Sequence, residues 1–178
     1  DILNDLSKRN IVHRIWCKDH TVWKSSPHEI VDRLGWLTAT DCMRKQTTVL
    51  SELSQEVREA GFQHVVLLGM GGSSIGPEVL RRTFGIRNDY PELIILDSTL
   101  PTSIFSVSDI VDLRKTLFLV SSKSGDTIEP NVLYRHFRRL VNRMLGNVND
   151  AGQRFVAVTN TGTPLEKLAN REGFRRIF

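Results

Sequence analysis

Two rhythms of apolar and polar positions divide the chain near residue 62. Before it, apolar residues recur at helical spacing in a polar background. His28-Glu29-Ile30-Val31-Asp32-Arg33-Leu34 predicts one helix, with Ser26 at the cap, Pro27 in the first turn and Gly35 as the stop. Met43, Leu50, Leu53 and Val57 form a stripe that predicts a second helix from Thr40 to Ala60, ended by Gly61. Beyond residue 62, short apolar runs alternate with helical stripes. The runs are His64–Leu68, Leu93–Leu96, Leu117–Val120 and Phe155–Val158, and a fifth begins at Arg176. Each is apolar at consecutive positions, as a strand covered on both faces requires, so the predicted sheet is parallel and central.

Helical stripes fill the intervals. Ile75, Val79, Leu80 and Phe84 make one, closed by Gly85; Leu133, Phe137, Leu140, Val141 and Met144 make another, with Gly146 just beyond. The alternation predicts an α/β fold, a doubly wound, flavodoxin-like parallel sheet sandwiched by helices with right-handed crossovers. Residues 1–61 read as a helical N-terminal extension packed on the core, and residues 62–178 as the doubly wound domain. Trp16, Trp23 and Trp36 lie in the extension and are expected to pack in a core. The chain does not start with Met and stops at Arg176-Ile177-Phe178, which reads as the opening of a strand, so the domain is expected to be truncated at its C-terminus.

Composition narrows this little. Of 178 residues, 40% are hydrophobic and 25% charged, an ordinary globular balance that excludes wholesale disorder. No apolar run reaches membrane-spanning length, and the first residues lack the basic end and apolar centre of a signal peptide. Cys17 and Cys42 form no C-x-x-C and are read as having no His or Cys at metal-ligand spacing. They are expected to be reduced thiols in a cytoplasmic protein. The net charge of +4 would favour capture of a phosphorylated metabolite. No interleaving of basic and aromatic residues points to nucleic acid. The basic cluster Arg135, His136, Arg138, Arg139 and Arg143 reads as the solvated face of a helix.

Ligands of doubly wound sheets bind beyond the carboxyl ends of the strands, so the loops that follow the runs carry the chemistry. The first is Gly69-Met70-Gly71-Gly72-Ser73-Ser74-Ile75-Gly76-Pro77. Its glycines permit sharp turns and close approach to an anion, and a helix N-terminus follows with free N–H groups. The third run leads into Ser121-Ser122-Lys123-Ser124-Gly125-Asp126-Thr127-Ile128-Glu129-Pro130. Ser122, Ser124 and Thr127 offer hydroxyls and Lys123 a positive charge; Asp126 or Thr127 can cap the next helix, with Glu129 at capping-box spacing from Asp126. The pair of loops describes a monophosphate pocket. A P-loop is excluded because Pro77-Glu78 stands where Lys-Ser/Thr is needed. A dinucleotide fingerprint is incomplete, since Ser74 occupies the third glycine position; Asp97, at the end of the second run, keeps that alternative open.

Gly69–Pro77 and Ser121–Asn131 resemble the corresponding loops of phosphoglucose isomerases, members of the sugar isomerase (SIS) domain class. Ile15–Trp23, Leu96–Pro101 and Thr159-Asn160 extend the resemblance over nearly the whole chain, and it is closest to the isomerase part of transaldolase/phosphoglucose isomerase fusions. The resemblance implies interconversion of glucose 6-phosphate and fructose 6-phosphate through a cis-enediol, without metal or organic cofactor. By position it makes Ser122, Lys123, Ser124 and Thr127 the phosphate-binding residues, Gly72 and Ser73 substrate contacts, and Glu129 an auxiliary glutamate of the active site. Asp126 stands where many relatives have Thr, and a helix-capping role is expected to turn it from the phosphate.

The same resemblance places the main base, the ring-opening histidine and lysine, and a substrate arginine in a second SIS half beyond residue 178 or in a neighbouring subunit of a homodimer. His13, His20, His28, His64 and His136 are read as structural or surface residues. The isolated chain is therefore expected to bind sugar phosphate and to turn over negligibly, because a general base must reach the proton it moves. Two alternatives stand: a free-standing SIS module that senses a phosphosugar, and a dinucleotide-binding oxidoreductase domain.

Overall fold

The computed structural model describes residues 1–146 and 150–178 in full, and the backbone of 148–149. The chain runs α1 (Ile2–Lys8), α2 (Ile11–Trp16), α3 (Ala39–Glu59), β1 (His64–Leu68), α4 (Gly72–Phe84), β2 (Glu92–Leu96), α5 (Pro101–Ile110), β3 (Thr116–Ser121), α6 (Ile128–Leu145), α7 (Val148–Ala151), β4 (Phe155–Val158), α8 (Pro164–Arg171) and β5 (Arg176–Ile177). Two compact units divide at Leu53/Ser54, inside α3.

In the second unit the five strands form one parallel sheet of order β2-β1-β3-β4-β5. This is the doubly wound, flavodoxin-like arrangement that the apolar runs predict, and all five expected strands are present. The order reverses between β1 and β3, where chain winding changes direction. The core lies on the three inner strands. Val66, Leu68, Phe118, Val120, Phe155 and Ala157 are buried there with Leu133, Phe137 and Val141 of α6. The Phe118 ring stands 4.7 Å from Phe137 and 5.2 Å from Phe155, within the range of favourable aromatic pairing. β2 is an edge strand and only Leu96 of it is fully enclosed.

Several local expectations need correction. Gly35 does not stop a helix: residues 28–30 form a turn, and a 3-10 stretch runs from Val31 to Thr38 straight through it. Glu29, at φ +60°, breaks the expected helix instead. The three tryptophans are exposed. Helices of seven and six residues, such as α1 and α2, present too little continuous surface to build a core, and neither contains a buried residue. The basic cluster is not a uniformly solvated face. Arg138 is buried, reaches Glu172 at 3.3 Å and lies over the Phe155 ring. Helices α5 and α8 have no counterpart in the predicted elements, because their apolar positions are too few to form a long stripe. Cys17 does have a histidine at helical ligand spacing: His13, one turn earlier, brings its ring to 3.7 Å from the sulfur. Among the described residues no group of three or more metal-ligating side chains forms, and no helix is long and apolar enough to cross a membrane.

Candidate functional site

β1 and β3 pair directly, with Leu68 opposite Val120, so the two loops expected to hold an anion leave the same sheet edge side by side. They flank the reversal of strand order. The topology thus brings Gly72 and Ser73 to the same crevice edge as Ser122, Lys123, Ser124, Thr127 and Glu129.

The first loop turns at Gly71, whose φ of +56° disfavours a side chain. At Gly69 a Cβ would sit 3.0 Å from the Leu67 side chain and 3.2 Å from the Ser73 carbonyl oxygen, so a larger residue there would press on the turn. Helix α4 starts at Gly72 without a side-chain cap. Ser74, in the position a dinucleotide fingerprint reserves for glycine, is buried and donates its hydroxyl to Gly71 O at 3.0 Å.

The second loop is internally braced. The Ser122 hydroxyl is buried, accepts the Gly125 N–H at 3.1 Å and shares a hydrogen bond with the Thr127 hydroxyl at 2.8 Å. Backbone bonds tie the loop to β4 and its successor: Ser122 N–H donates to Val158 O, and Asn160 N–H to Lys123 O. Gly125 has φ +74°, and a Cβ there would stand 2.6 Å from the Thr163 Cβ, so the loop is pressed on the start of α8. Lys123 and Ser124 are exposed, while Thr127 and Glu129 are half-buried.

Asp126 does not cap α6. Its carboxylate accepts the Ser124 hydroxyl instead. Thr127 occupies the cap position but makes no capping bond, because its hydroxyl is turned to Ser122. The first-turn N–H groups of α6 therefore have no side-chain cap and face the loop region with the positive end of the helix dipole. The N-terminus of α8 differs: Thr163 accepts the Glu166 N–H at 3.2 Å. A helix start left uncapped beside a hydroxyl-rich loop is a ready anion site.

Two supporting residues go beyond the sequence reading. Asn131 donates its side-chain amide to Thr127 O at 2.8 Å and so fixes the cap residue. Thr163 backs Gly125 and bonds the Thr159 hydroxyl at 2.8 Å. Both have a signal in the sequence: Asn131 lies one helical turn after Thr127, and Thr163-Pro164 is a cap followed by a first-turn proline. Of the histidines in the second unit, His64 opens β1 and His136 lies inside α6, and neither belongs to the two loops.

Fold and loops together define a doubly wound domain of the SIS type, with uncapped helix starts flanking the reversal of strand order. The family model for phosphoglucose isomerase matches residues 40–172, and the chain belongs to that family. A glucose-6-phosphate isomerase of Staphylococcus epidermidis is 31% identical over 150 residues, 80% of this chain and 33% of that protein. One from Staphylococcus aureus is 32% identical over 152 residues, with the same shares. The chain spans about a third of the length of these curated relatives. Among solved structures, a hypothetical protein of Thermus thermophilus superposes with a TM-score of 0.75 at 28% identity, covering 99% of this chain and 40% of that one. A glucose-6-phosphate isomerase from Chlamydia trachomatis gives 0.65 at 25% identity, covering 94% and 29%.

Proposed function

We propose that this chain is the sugar-phosphate-binding half of an aldose–ketose isomerase that interconverts glucose 6-phosphate and fructose 6-phosphate. The observation that carries the reading is the pair of loops on β1 and β3, set side by side at the reversal of strand order and each leading into an uncapped helix. In this reading the phosphate lies against the first turn of α6, with Ser124, Thr127 and Lys123 as side-chain donors. Ser122 shapes the loop from beneath, because its hydroxyl already serves Gly125 and Thr127. Gly72 and Ser73 border the sugar, and Glu129 acts as an auxiliary group near it.

Anchoring the phosphate lowers the entropic cost of positioning the reacting carbons but moves no proton. The main base is assigned to a part of the protein outside these 178 residues, either a second SIS half or a partner subunit. Calorimetric titration with fructose 6-phosphate tests the site. Wild-type chain should bind weakly, and a Ser124→Ala/Thr127→Ala double variant that keeps its circular dichroism should lose the heat of binding. Retained binding in that variant overturns the placement. Isomerase turnover by the isolated chain at ordinary enzymatic rates would overturn the assignment of the base elsewhere.

A further inference from the structure

A groove of about 570 Å³ separates the N-terminal half of α6 from α8. None of the residues assigned above to the sugar phosphate lines it. Its apolar lining comes from Ile128 and Val132, exposed and one turn apart on α6, and from Leu168 of α8. Three cations line it: Arg135 on α6, and Lys167 and Arg171 on α8. One carboxylate, Asp126, stands at the end near the loop, and it already accepts the Ser124 hydroxyl. Arg171 is shared with Glu172 at 3.3 Å, a contact in solvent where ion pairs contribute little. The lining therefore carries a net charge of +2, three cations against one anion, beside three apolar side chains.

The volume falls in the range of small-molecule sites, which join apolar lining to a few convergent polar groups. Three cations along one groove match several linked anionic groups better than a single one. The apolar strip between the two helices matches a flat, weakly polar body. We infer that this groove binds an organic polyphosphate, with the phosphates on Arg135, Lys167 and Arg171 and the organic body on Ile128, Val132 and Leu168. The groove adjoins the sugar-phosphate loop at Gly125 and Asp126 but takes none of the side chains assigned to the sugar phosphate, and its existence does not depend on that reading.

The test uses the full chain, without divalent metal, titrated with ATP and with inorganic tripolyphosphate. Both should bind saturably, ATP more tightly because its base and ribose cover Ile128, Val132 and Leu168. Affinity should fall steeply as salt is raised, since the cations are exposed. Lys167→Ala/Arg171→Ala should weaken ATP at least about tenfold, the loss of roughly one charge-assisted hydrogen bond; both side chains are solvent-facing, so the fold should survive, and circular dichroism checks it. Val132→Ser should bring ATP down towards tripolyphosphate. Thr127→Ala, whose side chain neither lines the groove nor bonds a residue that does, should leave both ligands unchanged. Loss of ATP binding in this last variant, with the groove variants unaffected, would place the anion on the sugar-phosphate loop and overturn the inference. So would the absence of saturable binding by the wild type, or equal affinities for the two probes.

Discussion

Helices α4 and α6 begin and end alike but turn opposite faces to the sheet. Each follows a buried strand and a glycine- and serine-containing loop, starts without a side-chain cap and closes at a glycine with positive φ. Each carries an apolar stripe legible in the sequence. On α6 the stripe faces the sheet: Leu133, Phe137 and Val141 are wholly buried. On α4 it faces solvent, with Ile75 62% and Phe84 79% exposed, and the one buried residue is Ser74. The half-buried positions of α4 are Ser73, Pro77, Glu78 and Arg81, a polar face turned inward. Amphipathic spacing thus predicts a helix reliably, but it does not say which face meets the sheet. An apolar patch of this kind marks a surface suited to association, and Leu100, Phe105 and Ile110 in and beside α5 add to the exposed apolar area of this unit.

The sharpest break between the two helices should come from α6. Phe137→Ala removes a fully buried ring that packs on Phe118 and should cost about 3–5 kcal/mol. Denaturant unfolding measures it. A cost near zero would mean that α6 does not hold the sheet.

The loop before α6 comes next. Gly125→Ala forces a side chain into left-handed backbone, at about 1–2 kcal/mol, and into Thr163, where overpacking adds about 1–3 kcal/mol. Fructose 6-phosphate binding should weaken with it. Gly72→Ala on the other loop meets no atom within 4 Å and should be far milder in stability. Equal losses at the two positions would erase the distinction between a loop pressed on α8 and one open to solvent.

These contrasts show what the sequence can and cannot convey. Strand positions are legible because consecutive apolar residues have few other uses, and the two loops are legible because glycine and hydroxyl residues cluster there. The role of Asp126 is not. Its spacing to Glu129 suits a capping box, yet Ser124 two residues earlier offers a nearer hydroxyl and takes the carboxylate. Arg138 misleads for a related reason: a charged residue on a polar stripe looks solvated until Glu172 and the Phe155 ring, distant in sequence, arrive beside it. The inward polar face of α4 depends on which strands lie beside it, which no local pattern records.

That polar face makes a pH prediction. Glu78 accepts hydrogen bonds from Arg81 and from Arg82, which hold its carboxyl down to about 2. A carboxylate depressed in the folded state contributes stability above its unfolded pKa and loses it as pH falls towards the folded value. The window here runs from about 4.5 down to about 2. Carboxyl-resonance titration by NMR should show Glu78 ionised through most of that window, and Arg81→Ala should return it towards the ordinary range. An unshifted Glu78 would mean that Arg81 and Arg82 do not hold its carboxylate in solution.

The smallest effect is expected on the outward face, and it is the most informative. Val79 is the stripe counterpart of Val141 but lies 57% exposed. Val79→Ser should change the stability of this chain by no more than about 0.5 kcal/mol, as surface substitutions do. Val141→Ser, which opens a hole and buries a hydroxyl, should cost several times more. Parallel denaturant melts at two protein concentrations decide the point. If Val79→Ser costs as much as Val141→Ser, and the cost grows with concentration, the apolar face of α4 is covered in solution by another copy of the chain. If it stays neutral at both concentrations, the stripe is free, and its spacing reflects a surface whose partner is absent under those conditions.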